Sequence, residues 1–167
     1  MLTPSNKPIF VVSAVRKSEV GAYAICCIEN GRISIVDHAA EPGASTNRMI
    51  IRAAIVVHKL DLAGDTAVIA TTVQFLLNVS RLDKWAAHGW KQPSGTPYAH
   101  VELWKELHEL RGNTRIKIYD VEQYLAPGMT QVKLATRKLA EATASLVSSV
   151  VHPANDNGII AEHGEAQ

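Results

Sequence analysis

Hydrophobic positions along the chain keep two different rhythms. In the N-terminal part they form short, β-branched runs. Ile9 to Ala14 (IFVVSA) predicts a buried strand, and Gly21 to Glu29 predicts a second. Arg16 to Glu19 between them reads as a polar connector. Asn30-Gly31 is a two-residue hairpin signal, because both positions tolerate positive φ. Arg32 to Ala39 (RISIVDHA) alternates and completes a third strand. Three consecutive strands with short connections predict an antiparallel meander. The rhythm then changes. After a polar loop from Glu41, Met49, Ile50, Ala53, Ala54, Val57 and Leu60 recur at three- and four-residue steps, the period of a buried helical face. Ser45 or Thr46 can cap this helix, since a side-chain oxygen there accepts from an unpaired first-turn N–H.

Asp61 to Asp65 reads as a turn, and Thr66 to Thr71 as a fourth, apolar strand. Thr72 to about Val79 has helical spacing, and Arg81 to His88 continues as another helix. Gly89 to Tyr98 (GWKQPSGTPY) is a loop, broken by its prolines and glycines. His100 to Arg111 is an amphipathic helix stopped by Gly112-Asn113. Arg115 to Val121 predicts a fifth strand, Ala126-Pro127-Gly128 a turn, and Thr130 the cap of a last helix reaching about Val151. The order β-β-β-α-β-α-α-α-β-α predicts an α/β protein: a mixed five-stranded sheet, with three antiparallel meander strands plus two further strands, and helices on its faces. Residues 1–8 read as a flexible lead-in, 9–152 as one domain, and 153–167, small and polar without a period, as a disordered tail.

Composition narrows the function classes. The chain has 167 residues, 47% hydrophobic and 20% charged, which suits one domain with a real core. A net charge of +1 means that any nucleic-acid surface is a local patch. No apolar run approaches the roughly 18 residues that span a membrane. The N-terminus lacks the basic start and apolar stretch of a signal peptide, so the expected location is cytoplasmic. Cys26 and Cys27 are adjacent, point to opposite faces of a strand and form no metal-ligand spacing. His38, His58, His88, His100, His108, His152 and His163 are scattered without a metal-binding helix pair, so no metal or other cofactor is expected.

Four local strings bear a resemblance. They are GAYA at the start of the second strand, TNRM-(x)3-AAI on the first helix, and Gln74-Phe75 after the fourth strand. The longest runs from Lys84-Trp85 through Gly89-Trp90-Lys91 to His100-Val101-Glu102-Leu103-Trp104. With the element order they resemble ribonuclease H, from about Ile9 to Ala144. The resemblance implies a ribonuclease H-like fold and cleavage of the RNA strand of an RNA–DNA hybrid. That chemistry uses two divalent ions about 4 Å apart, held by carboxylates because such ions are hard and prefer oxygen. The family's four carboxylate positions fall here on Val12 or, with a one-residue slip, Ser13; on Ile50; on Thr72; and on Arg137. The family's mobile histidine would fall near Tyr124. Val and Ile offer a metal nothing, Thr is a weak neutral ligand and Arg repels a cation. The expectation is a ribonuclease H fold that does not cleave by the family's mechanism. A site rebuilt from Glu19, Asp37, Glu102, Asp120 and Glu122 would instead make it a metal-dependent hybrid ribonuclease; ordinary surface charge also explains these acids.

Positions similar to the family's binding residues survive. Ser45 and Arg48 sit where the family holds a DNA phosphate, beside a helix N-terminus. Asn47 and Gln74 match amides that contact the hybrid's minor groove. Lys84, Trp85, Trp90 and Lys91 match a basic protrusion that packs on the DNA strand. Each has a structural alternative. The tryptophans can stack with Trp104 and pin the protrusion to the helix, Ser45 and Asn47 can serve as capping residues, and Arg48 with Arg52 can form a solvated face. The expected partner is nucleic acid, an RNA–DNA hybrid or structured duplex, bound weakly and salt-sensitively without cleavage. Arg137 could touch the phosphate directly. The alternative is a protein-interaction module or homodimer on the same fold.

Overall fold

A computed structural model describes residues 7–60, 62, 66–112, 114, 116–124 and 128–151. The lead-in before residue 7, the tail after residue 151 and the turn at 125–127 lie outside the described residues. Three antiparallel strands open the chain: β1 (Ile9–Lys17), β2 (Val20–Glu29) and β3 (Arg32–Pro42). Helix α1 (Thr46–His58) follows, then β4 (Val68–Thr71), a 3-10 segment (Gln74–Arg81), α2 (Leu82–Ala87), α3 (Val101–Arg111), β5 (Lys117–Asp120), a short 3-10 turn (Val121–Gln123) and the long α4 (Met129–Val151). The strands lie in the order β3-β2-β1-β4-β5, with β1, β4 and β5 parallel to one another.

The strand alternation divides the core into two layers. Phe10, Val12, Tyr23 and Ile25 pack under Met49, Ile50, Ala53 and Val57 of α1 and against Trp104 and Leu107 of α3. Val11, Cys26, Val68 and Ala70 face Met129 and Val132 at the start of α4, and Val20 and Ala22 meet Ala144 further along it. The two cysteines therefore fall in opposite layers. Gly21 lies close under the segment that leads into α1. A Cβ there would lie 2.6 Å from the Ala44 carbonyl oxygen and 2.9 Å from Met49 Cγ.

Several boundaries differ from the sequence-based expectation. β1 does not stop at Ala14 but runs to Lys17, and the polar connector is a tight turn in which Ser18 and Glu19 both have positive φ, 50° and 64°. Neither is a usual residue for such a turn, so the local chemistry hid it. β3 continues past Ala39 to Pro42, because its far end still pairs with Val20 and Gly21. The stretch after Thr72 is a 3-10 segment rather than an α-helix. There Asn78 Nδ2 donates to the Phe75 carbonyl and Ser80 Oγ to the Leu77 carbonyl. Side chains that bond nearby backbone compete with the regular α ladder.

Candidate nucleic-acid interface

Parallel pairing of β1 with β4 brings the ends of these strands together, Val12 beside Thr71. One residue further on, Thr72 Oγ1 donates to Ser13 Oγ over 2.8 Å, and the Thr72 N–H donates to the Val12 carbonyl. Of the two residues left open in the sequence, Ser13 is the one that meets Thr72, while Val12 is fully buried on the other side of the strand in the α1 layer. Ile50 is also fully buried in that layer and does not reach the site.

Ser13 and Thr72 line a cavity of about 730 Å³ between the end of β1, the first turn of α1 and the middle of α4. Its walls carry Arg16 and Lys17 from β1, Thr46 from α1, and Lys133, Arg137 and Glu141 from α4. Four cations thus meet one carboxylate. Lys133 is paired to Glu122, and Arg137 Nε lies 3.3 Å from Glu141 Oε1, one helical turn along. Of the four positions expected from the resemblance, the structure brings Thr72 and Arg137 to the cavity together with Ser13, and leaves Val12 and Ile50 in the core.

This donor set does not fit a pair of divalent ions. Two neutral hydroxyls cannot offset the desolvation of a hard cation, and the guanidinium and ammonium groups around them repel it. Among the described residues no three His, Cys, Asp or Glu side chains converge. The acids considered for a rebuilt site are dispersed. Glu19 is on the β1–β2 turn, Asp37 accepts from the Tyr23 hydroxyl (2.7 Å) on β3, Glu102 begins α3, Asp120 accepts from the Glu122 N–H (2.8 Å), and Glu122 pairs with Lys133.

The expected binding residues divide likewise. Ser45 is the N-cap of α1, its Oγ accepting from the Arg48 N–H at 3.1 Å, and it lies 3.4 Å from His100 Nε2. Burial, then the Arg48 charge, holds the His100 imidazole below its ordinary pKa. Arg48 is already engaged: its Nε donates to Glu41 Oε2 at 2.9 Å, and Arg52 donates to the same oxygen at 3.2 Å. The Arg48 hydrogen bond is the main reason the Glu41 carboxyl titrates below its usual range, and Glu41 in turn holds Arg48 up. Asn47 and Gln74 are exposed, as are Lys84 and Lys91. Trp85 is not. It is 8% exposed, stacks on Tyr98 at 4.1 Å and meets Trp104 edge-on at 5.7 Å. Trp90 is half-buried, with its edge against His108.

The sequence reading did not single out Arg16, Lys17, Lys133 or Glu141. The α4 group was visible as Lys133, Arg137 and Glu141 at four-residue steps on one helix face. Arg16 and Lys17 depended on β1 continuing past Ala14.

The sheet order and helix placement define a ribonuclease H-like fold, and solved structures bear this out. The foamy viral protease-reverse transcriptase in complex with RNA/DNA hybrid aligns with a TM-score of 0.69 and 19% identity, over 86% of this chain and 21% of that one. The same viral enzyme in complex with dsDNA aligns at 0.70 and 18% identity, over 86% of this chain and 98% of that one. LC9-RNase H1, a type 1 RNase H with the type 2 active-site motif, aligns at 0.62 and 20% identity, over 86% and 75%. The chain thus spans about a fifth of the first of these proteins. No protein-family model and no curated protein sequence matches it.

Proposed function

We propose that this chain is a catalytically degenerate ribonuclease H-like domain that binds nucleic acid, an RNA–DNA hybrid or structured duplex, without cleaving it. The observation that carries the reading is the inverted charge of the cavity. Ser13, Thr72 and Arg137, which the resemblance assigns to carboxylate positions, line it, and Arg16, Lys17 and Lys133 add positive charge around them. A basic cavity attracts phosphate and disfavours the metal ions that would hydrolyse it. The viral enzyme of the same fold is in complex with RNA/DNA hybrid in one structure and with dsDNA in another, which supports nucleic acid as the ligand class. Lys84 and Lys91, exposed around the protrusion, extend the footprint, and Asn47 and Gln74 supply amides beside it. Trp85 supports the protrusion from within.

The test is a gel-shift titration with hybrid, duplex RNA and duplex DNA at two salt concentrations, run beside a cleavage assay with Mg²⁺ and Mn²⁺. The reading expects binding that weakens with salt, with a log–log slope of about −2 to −4 for a handful of phosphate contacts, and intact strands. Metal-dependent cleavage refutes it and restores the ribonuclease with a rebuilt site.

A second reading, a protein-docking module or homodimer, has one observation in its favour. Ile33 and Ile35, 59% and 64% exposed, lie on β3, an edge of the sheet. Exposed apolar edge strands invite pairing with another chain. Sedimentation analysis showing a dimer that Ile35→Lys dissolves, with no nucleic-acid binding, would favour it.

A further inference from the structure

The cations around the cavity are of two kinds. Lys133 and Arg137 already have carboxylate partners, whereas among the described residues Arg16 and Lys17 make no ion pair. The cavity floor has a spare donor as well. Ser13 is 1% exposed, and its oxygen accepts the Thr72 hydroxyl hydrogen at 2.8 Å, so its own O–H is left to donate. A buried hydroxyl seeks an acceptor. The first turn of α1 reaches the same cavity at Thr46, adding the positive end of a 13-residue helix.

We infer that the cavity seats a dianionic phosphate without a divalent metal, namely the phosphomonoester end of a nucleic-acid strand. Arg16 and Lys17, which make no ion pair among the described residues, match two negative charges, while a phosphodiester within a strand carries only one. The Ser13 hydroxyl donates to a phosphate oxygen, and Arg137 and Lys133 contribute from α4. The inference rests on the nucleic-acid reading for the source of the phosphate, not for its chemistry.

The experiment measures affinity by fluorescence anisotropy in EDTA for one hybrid in three forms: 5′-phosphorylated, 3′-phosphorylated and ending only in hydroxyls. Inorganic phosphate is the competitor. A phosphorylated form should bind about tenfold tighter than the hydroxyl form, as expected for one charge-assisted contact cluster. Phosphate should abolish the difference, and adding Mg²⁺ should not enlarge it. Arg16→Gln with Lys17→Gln, exposed positions whose folding is checked by thermal melting, should bring the three forms to one affinity. Lys133→Gln should narrow the gap. Equal affinity of all three forms for the unmodified protein overturns the phosphate seat and leaves the nucleic-acid reading standing. A preference retained in the double variant overturns the assignment to Arg16 and Lys17. Binding of inorganic phosphate with no binding of any hybrid overturns the strand end as the ligand and the nucleic-acid reading with it.

Discussion

Replacing Ile50 by the glutamate expected at its position tests whether this side chain belongs to the site or to the core. Ile50 is fully buried among Val12, Met49 and Val57 and is not among the residues lining the cavity. Ile50→Glu removes a buried aliphatic side chain worth about 1.5–3 kcal/mol. It also places a carboxyl in the apolar layer between α1 and the sheet. Burial raises such a pKa, so the group stays protonated, and holding it so at pH 7 from an ordinary value near 4.3 costs about 4 kcal/mol at 1.36 kcal/mol per unit. The total, about 6 kcal/mol, rivals the whole stability of many domains. The sign of the pH effect follows. The unfolded state loses its proton first, so the variant's stability falls as pH rises above about 4.3 and partly recovers in acid. Urea unfolding in EDTA at pH 5 and pH 7, each against the unmodified protein at the same pH, should show about 3 kcal/mol less destabilisation at pH 5. A variant within 1 kcal/mol of the parent at pH 7, or one stabilised by Mg²⁺, would place residue 50 in the cavity and refute this packing.

Four further outcomes follow from the same geometry. Gly21→Ala should cost about 1–3 kcal/mol by urea unfolding, because its methyl would collide with the Ala44 carbonyl, which is backbone and cannot swing aside. Glu41→Gln should release Arg48 and Arg52 from their shared carboxylate oxygen and tighten nucleic-acid binding, with the salt slope steeper by about one. His58, whose Nδ1–H donates to the Ala54 carbonyl at 2.7 Å, has its pKa pushed down to about 4 mainly by burial. The unfolded chain therefore binds the extra proton, and roughly 3 kcal/mol of stability present above pH 6.5 is lost as pH falls to about 4, which His58→Gln should flatten in a pH series of melting curves. Trp85→Ala should cost about 3–5 kcal/mol, so weakened binding by that variant should accompany a lower melting temperature rather than occur in a fully stable protein.

Patterning disclosed elements better than their ends. The unbroken apolar runs of β1 and β2, buried on both faces, the alternation of β3 and the helical steps of α1 and α3 were readable from the spacing of hydrophobic residues alone. The Ser18-Glu19 turn was not, since tertiary pairing of its flanking strands imposes a backbone that neither residue signals. The same event placed Arg16 and Lys17, and a one-residue change in strand phase separated Ser13 from Val12. The 3-10 character of Gln74–Arg81 escaped because a hydrophobic spacing of three to four residues is compatible with both helix types. The tryptophans could be assigned to core or ligand only once Tyr98 and Trp104 were seen around Trp85.

Helix α4 is bedded on the sheet along one stripe, Met129, Val132, Thr136, Ala140 and Ala144. Lys133 and Arg137 are carried on the flank of that stripe, at the cavity. Mechanically this is a beam bedded along its length, with the gripping groups on its side. Among the described residues the groups that line the cavity sit on β1, α1 and α4 and beside β4, so capturing an anion there calls chiefly for side-chain rotamers to settle. Association should accordingly be a single kinetic step limited by diffusion and steering, and occupancy should stiffen the sheet as a whole rather than one corner of it.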